Sequence, residues 1–155
     1  MNIEYLNIYN NLIKLTRNKN LYLNLKNKDT FSDRLIILLL HFGFFLQFYK
    51  DEATKKDSQN LFDYVIKQIE LSIREIGYGD ATINKKMKDY VNLLFSIIDK
   101  IDNWELKNNS ERKMIIENYI NEVPNVDNYI EYFEKYRIFL TKNTFKNLTK
   151  DILTI

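Results

Sequence analysis

Apolar residues recur along most of the chain at intervals of three and four, which is the spacing of one face of an α-helix. Only three glycines and one proline interrupt this pattern. The sequence therefore predicts an all-α fold. We expect a single compact domain over residues 1–155, with five to six helices around a central apolar helix.

Local signals place these helices along the chain. The central helix is expected from about Thr30 to Tyr49, because Thr30 can cap the first amides and Asp33 holds the third helical position. Gly77 predicts the end of the third helix and Asp80 a cap for the fourth. The predicted helices cover about Ile3 to Leu15, Thr30 to Tyr49, Asp57 to Ile76, Thr82 to Trp104, Glu111 to Asn121 and Val126 to Leu140.

Two segments outside these helices also carry predictions. The polar connection of residues 16–28 contains a short apolar hook at Leu21, Tyr22, Leu23 and Leu25. The tail from Thr144 onward is expected to form one more turn or to fray. Residues 106–155 as a whole are expected to be a helical C-terminal extension.

The composition limits the possible chemistry. The chain has no cysteine and one histidine, which excludes disulfides, thiolate sites and multi-histidine metal sites. Its 23 basic and 21 acidic residues give a formal net charge of +2, far from the strongly basic balance of a dedicated nucleic-acid binder. No cofactor and no DNA partner are expected.

Positive charge is nevertheless concentrated at the start of the chain. Residues 1–28 contain five basic side chains against Glu4 alone. Such a patch could attract an anionic membrane surface or ribosomal RNA, with each basic residue contributing about 1 kcal/mol near an anionic bilayer. We favour the simpler interpretation of a solvated surface. The basic residues are Lys14, Arg17, Lys19, Lys26 and Lys28.

The first residues lack the pattern of a secretory signal or a transit peptide, so a cytoplasmic location is expected. The most apolar stretch, from Leu35 to Tyr49, is shorter than the roughly 20 residues that span a bilayer. We interpret it as a buried core helix.

His41 and Arg34 are seven residues apart, which places them on nearly the same side of the central helix. They could face a partner or a cavity. We favour a core histidine hydrogen-bonded to a neighbouring carboxylate or carbonyl, with Arg34 paired to a nearby acid. No nucleophile or framed carboxylate pair accompanies His41, so the sequence predicts no enzyme.

Two other motifs have simple structural explanations. Gly77-Tyr78-Gly79 is a fragment of a dinucleotide-binding fingerprint, but it follows a helix rather than a strand, so phosphate binding is not expected. The aromatic stripe from Tyr129 to Tyr136 could stack nucleic-acid bases, but at helical spacing core packing is the usual role.

One family resemblance is carried by a series of motifs between about Tyr9 and Ile101. Its most specific part is Arg74-Glu75-Ile76-Gly77-Tyr78-Gly79-Asp80. The chain resembles the ubiquinol-cytochrome c chaperone family. It departs from the family pattern late in the fourth helix, with Phe95-Ser96-Ile97 in place of an aromatic residue followed by Gly-Arg. The other matching residues are Arg17, Leu21-Tyr22, Thr30-Phe31, Arg34, Leu39, His41, Gln59, Leu61-Phe62 and Ile83-Asn84-Lys85-Lys86.

This resemblance implies an all-helical, non-enzymatic assembly factor for ubiquinol-cytochrome c reductase that binds nascent or unassembled cytochrome b. We expect a bacterial member, peripheral at the cytosolic face of the inner membrane, with the ribosome as a further expected contact. The alternative is a small helical RNA- or ribosome-binding module, and an enzyme with an unrecognised carboxylate site is the weakest hypothesis. The residues predicted to bind a partner are Arg17, Lys19, Arg34, His41, Arg74, Glu75 and Asp80.

Overall fold

A computed structural model describes residues 3–22, 30–120 and 125–149 of the chain. These residues form six α-helices and three short 3₁₀ helices, and none of them lies in a strand. The predicted all-α fold is confirmed. The α-helices are α1 (Ile3–Thr16), α2 (Phe31–Tyr49), α3 (Lys55–Ile76), α4 (Asp80–Lys100), α5 (Asn109–Tyr119) and α6 (Val126–Thr141). The 3₁₀ helices cover Lys19–Leu21, Trp104–Leu106 and Asn147–Thr149.

Helix starts follow the capping residues. Thr30 caps α2 as predicted, because its hydroxyl accepts a hydrogen bond from the Asp33 amide at 3.2 Å. The predicted start of α3, near Asp57-Ser58, is two to three residues too late, because the helix begins at Lys55. Thr54 caps that helix instead, with its hydroxyl accepting from the Asp57 amide at 3.0 Å.

The predicted stop between α3 and α4 is confirmed at Gly77, which has a φ of 103° and donates its amide to the Arg74 carbonyl. A residue with a Cβ is strained in this left-handed conformation. Asp80 is the first residue of α4 and not its cap, a position that Gly79 occupies. The predicted end of α4 at Trp104 is also wrong, because the helix stops at Lys100.

Two later boundaries also differ from the prediction. Helix α5 begins at Asn109 rather than Glu111, because Asn108 and Glu111 form a reciprocal capping box. Helix α6 extends one residue beyond Leu140, to Thr141. The last predicted residue of α5, Asn121, lies outside the described residues.

Helix α2 is the centre of the packing, and α1, α4 and α6 pack against it. By length and composition alone this 19-residue helix could cross a membrane. In the structure, 11 of its residues are buried, as expected for the predicted core helix. Gly43 allows α4 to approach closely, since a Cβ added there would lie 2.6 Å from Ile97 Cγ2.

The two ends of the described chain pack together. The side-chain amide of Asn7 donates to the Thr149 carbonyl at 2.8 Å, and that of Asn11 donates to the Leu148 carbonyl at 3.1 Å. The turn expected in the C-terminal tail is therefore present and fixed to α1. In the predicted apolar hook, Leu21 and Tyr22 are buried, whereas Leu23 and Leu25 lie outside the described residues.

Candidate partner-binding surfaces

His41 is fully enclosed at the contact between α2 and α6. Its Nδ1 lies 2.8 Å from the Ile37 carbonyl, and its Nε2 lies 2.6 Å from the Tyr132 hydroxyl. Because a carbonyl only accepts, Nδ1 carries the proton, and Nε2 accepts the hydroxyl hydrogen of Tyr132. Both ring nitrogens of a neutral imidazole are therefore satisfied inside the chain.

The surroundings of this imidazole are aromatic. The rings of Tyr132, Phe133 and Tyr136 have their centroids 5.0–5.4 Å from that of His41. Burial lowers the pKa of His41 to about 4, because a charged imidazolium would lose its hydration here, although the Ile37 carbonyl opposes the shift. The favoured interpretation of a hydrogen-bonded core histidine agrees with this geometry. His41 is not available to a partner in this conformation, and the aromatic stripe of α6 is largely core.

Arg17 and Arg34, in contrast, are exposed and line the same cleft, formed where α1, α2 and α3 meet. This arginine cleft has a volume of about 130 Å³. Most of its wall is apolar or aromatic. It is lined by Tyr9, Ile13, Thr16, Arg17, Phe31, Arg34, Leu35, Leu38, Ile69 and Ser72.

Two polar features accompany the apolar wall of the arginine cleft. Thr16 is buried, and its hydroxyl oxygen has no hydrogen-bond partner among the described residues. Burial raises the pKa of Tyr9, while the nearby Ser72 hydroxyl and Arg17 guanidinium oppose that rise.

Arg74 and Asp80 meet at the turn between α3 and α4. The Arg74 guanidinium donates to the Asp80 carboxylate at 2.7 Å and to Glu70 at 3.3 Å. The Asp80 contact is the main cause of a raised Arg74 pKa, and hydrogen bonding from Lys67 is the main cause of a lowered Glu70 pKa. This chain of ion pairs joins the end of α3 to the start of α4.

The same turn exposes apolar surface. We call residues 74–80 the hairpin tip. Its Ile76 side chain is 49% exposed and Tyr78 is 44% exposed, so large apolar groups face solvent beside the ion pairs. Glu75 is also exposed. The Lys86 ammonium, on α4, lies 4.8 Å from the centre of the Tyr78 ring, within the range of a cation–π contact.

The arginine cleft and the hairpin tip share one face of α3. Ile69 and Ser72 line the cleft, and Ile76 lies four residues after Ser72, one turn further along the same face. The two surfaces are therefore adjacent. Sequence patterns alone did not identify Ser72 or Tyr9 as cleft residues. Each is an ordinary helical position in the sequence, and the cleft forms only where three helices meet.

The remaining predicted site residue, Lys19, is exposed on the first 3₁₀ helix and does not line the arginine cleft. At the departure from the family pattern, Ser96 shares a hydrogen bond of 2.7 Å with the Tyr119 hydroxyl. Phe95 stacks on Phe62 at a centroid distance of 5.5 Å. Among the described residues, no group of histidine, aspartate and glutamate is placed to hold a metal ion.

The fold and these surfaces define an all-helical protein in which large exposed apolar side chains, such as Ile76 and Tyr78, lie beside charged groups. A model of the ubiquinol-cytochrome C chaperone family matches residues 23–115, which is more than half of the chain. The chain belongs to this family of chaperones.

The matched segment contains five of the seven predicted partner-binding residues. It begins later than the resemblance predicted from Tyr9 and ends later than Ile101, so Arg17 and Lys19 precede it. Comparisons with curated proteins and with solved structures found no match.

Proposed function

We propose that this protein is a non-enzymatic assembly chaperone for ubiquinol-cytochrome c reductase and that its client is newly made cytochrome b. The observation that carries the proposal is the family match over residues 23–115. The described surfaces support it, because the arginine cleft and the hairpin tip offer apolar side chains to a client without any rearrangement of the core.

A hydrophobic, membrane-destined client needs protection of its apolar segments before insertion. Ile76 and Tyr78 provide exposed apolar contacts, and Arg74, Glu75 and Asp80 surround them with charge. Such a charged rim orients the client and raises its rate of association with the chaperone more than it raises the binding affinity. The proposal includes a cytoplasmic location with transient contact at the membrane surface where the client inserts.

Deletion of the gene tests the proposal. We expect cells without the protein to contain less cytochrome b in a reduced-minus-oxidised difference spectrum, and less assembled reductase on native gels. Normal amounts of both would contradict the proposed function.

Complementation then tests the surface. The change Ile76→Ser removes an exposed apolar group from the hairpin tip, and Met114→Ser removes a still more exposed one, at 69%, on α5. We expect the Met114→Ser variant to restore cytochrome b and the Ile76→Ser variant to restore less of it. Equal rescue by two variants that are equally abundant would exclude the hairpin tip as the client surface.

A further inference from the structure

The arginine cleft has a size that selects its occupant. Its volume of about 130 Å³ is close to that of a cavity that accepts a benzene molecule, roughly 150 Å³. One aromatic or branched aliphatic side chain therefore fits, whereas a whole lipid acyl chain does not. The apolar lining, which includes Phe31, Leu35 and Ile69, suits such a side chain.

The charge at the rim of the cleft adds a second requirement. Arg17 and Arg34 are both exposed there, and no described carboxylate forms an ion pair with Arg17. A guanidinium presents a planar set of donors that matches a carboxylate. An occupant with a carboxylate next to its apolar group would satisfy Arg17 while filling the cleft.

The wall of the cleft contains an unused polar group. Thr16 is 4% exposed, and its hydroxyl has no hydrogen-bond partner among the described residues, although most buried polar groups in folded proteins have one. A polar atom of a peptide bound in the cleft would be a suitable partner for this hydroxyl. This observation is independent of the arginines.

From these three features we propose that the arginine cleft recognises a two-residue element of a client peptide, an apolar side chain followed by an aspartate or glutamate. This inference rests on the proposed chaperone function and specifies what the client must carry. We assign the carboxylate to a side chain, because side-chain carboxylates can occur at many positions of a client whereas a C-terminal carboxylate occurs once.

Short peptides test the proposal directly. The probes are acetyl-Phe-Glu-amide, acetyl-Phe-Gln-amide, acetyl-Gly-Glu-amide and acetyl-Gly-Phe with a free C-terminus. NMR titration of the full chain suits the weak affinity expected for such small ligands. We expect saturable shifts for the amides of Ile13, Thr16 and Leu35 with the Phe-Glu peptide, and binding about fivefold weaker with Phe-Gln because one exposed charge pair is lost.

Two variants separate the roles of neighbouring cations. We expect Arg17→Gln to bind the Phe-Glu peptide more weakly and to lose most of the preference for it over the Phe-Gln peptide, with Arg34 as the remaining cation at the rim. The control Lys19→Gln removes an exposed charge two residues away that does not line the cleft, and it should preserve the fivefold preference. Equal loss of preference in both variants would show that general positive charge, and not the cleft, attracts the carboxylate.

Other outcomes also decide against the proposal. Binding only of the free C-terminal peptide would replace the side-chain carboxylate by a chain end. Arginine-dependent binding of anionic phospholipid vesicles without peptide binding would make the cleft a membrane contact. The peptide titration and the gene deletion test different claims. If no peptide binds but the deletion strain contains less cytochrome b, the proposed chaperone function stands and the assignment of the cleft is wrong.

Discussion

The buried imidazole of His41 makes the stability of this protein depend on pH. In the folded chain the pKa of His41 is about 4, against 6.5 for an exposed histidine. The unfolded chain therefore binds a proton between these values and the folded chain does not. The contribution of the neutral His41 to the free energy of unfolding is fully present above about pH 6.5 and is lost as the pH falls towards 4.

The difference between the two pKa values corresponds to about 3 kcal/mol of the free energy of unfolding, and about 2 kcal/mol of it is lost when the pH falls to 5. Above pH 5 the paired carboxylates of Glu70 and Glu134 contribute little, because their hydrogen bonds lower their pKa values below the ordinary range. The interval from pH 7.5 to pH 5 therefore isolates the histidine from these two carboxylates.

Urea unfolding at the two pH values measures this loss. Trp104 is the single tryptophan and only 2% exposed, so its fluorescence reports on the core. The control variant His41→Gln keeps a donor and an acceptor for its neighbours but does not titrate. We expect the free energy of unfolding to fall by about 2 kcal/mol more in the native chain than in this variant. An identical pH dependence in both proteins would refute the assignment of a buried neutral imidazole.

Three further substitutions test the packing and the surface. Gly43→Ala should destabilise the chain by about 1 kcal/mol, because the clash with Ile97 exceeds the gain in helix propensity. The same change should stabilise a chain that also carries Ile97→Ala, since the clashing side chain is then absent. Urea unfolding that shows destabilisation in both backgrounds would contradict the contact. Thr30→Ala should cost about 1 kcal/mol through loss of the α2 cap, and an unchanged unfolding midpoint would argue against that cap. Arg74→Gln should leave the midpoint nearly unchanged, because its ion pairs are exposed, and a large shift would mean that the pair with Asp80 supports the fold.

Local signals in the sequence were sufficient for the helices. Thr30 caps α2 because its hydroxyl reaches an amide three residues away, and Gly77 ends α3 because it adopts a left-handed backbone at little cost. The errors at the starts of α3 and α5 arose where another local cap competed. Helix α3 begins earlier in the chain than predicted because Thr54 caps it, and α5 begins earlier because Asn108 caps it.

The roles of the candidate site residues depended on contacts between distant parts of the chain. Arg34 and His41 share a side of α2 by spacing, yet Arg34 is exposed at a cleft and His41 is enclosed by α6. Nothing local distinguishes these two outcomes, because the burial of a helical position is set by which helix packs over it.

The amino-acid sequence by itself determined the all-helical fold, the cap of α2 and the stop after α3, since each depends on side chains within a few residues of one another. Family membership also followed from the sequence, because a motif such as residues 74–80 is a run of consecutive residues, and the family model matches residues 23–115. Only the tertiary structure brought Arg17, Arg34 and Ser72 together in the lining of one cleft. A cleft is formed by the side chains of separate helices, so its shape and charge exist only after those helices pack.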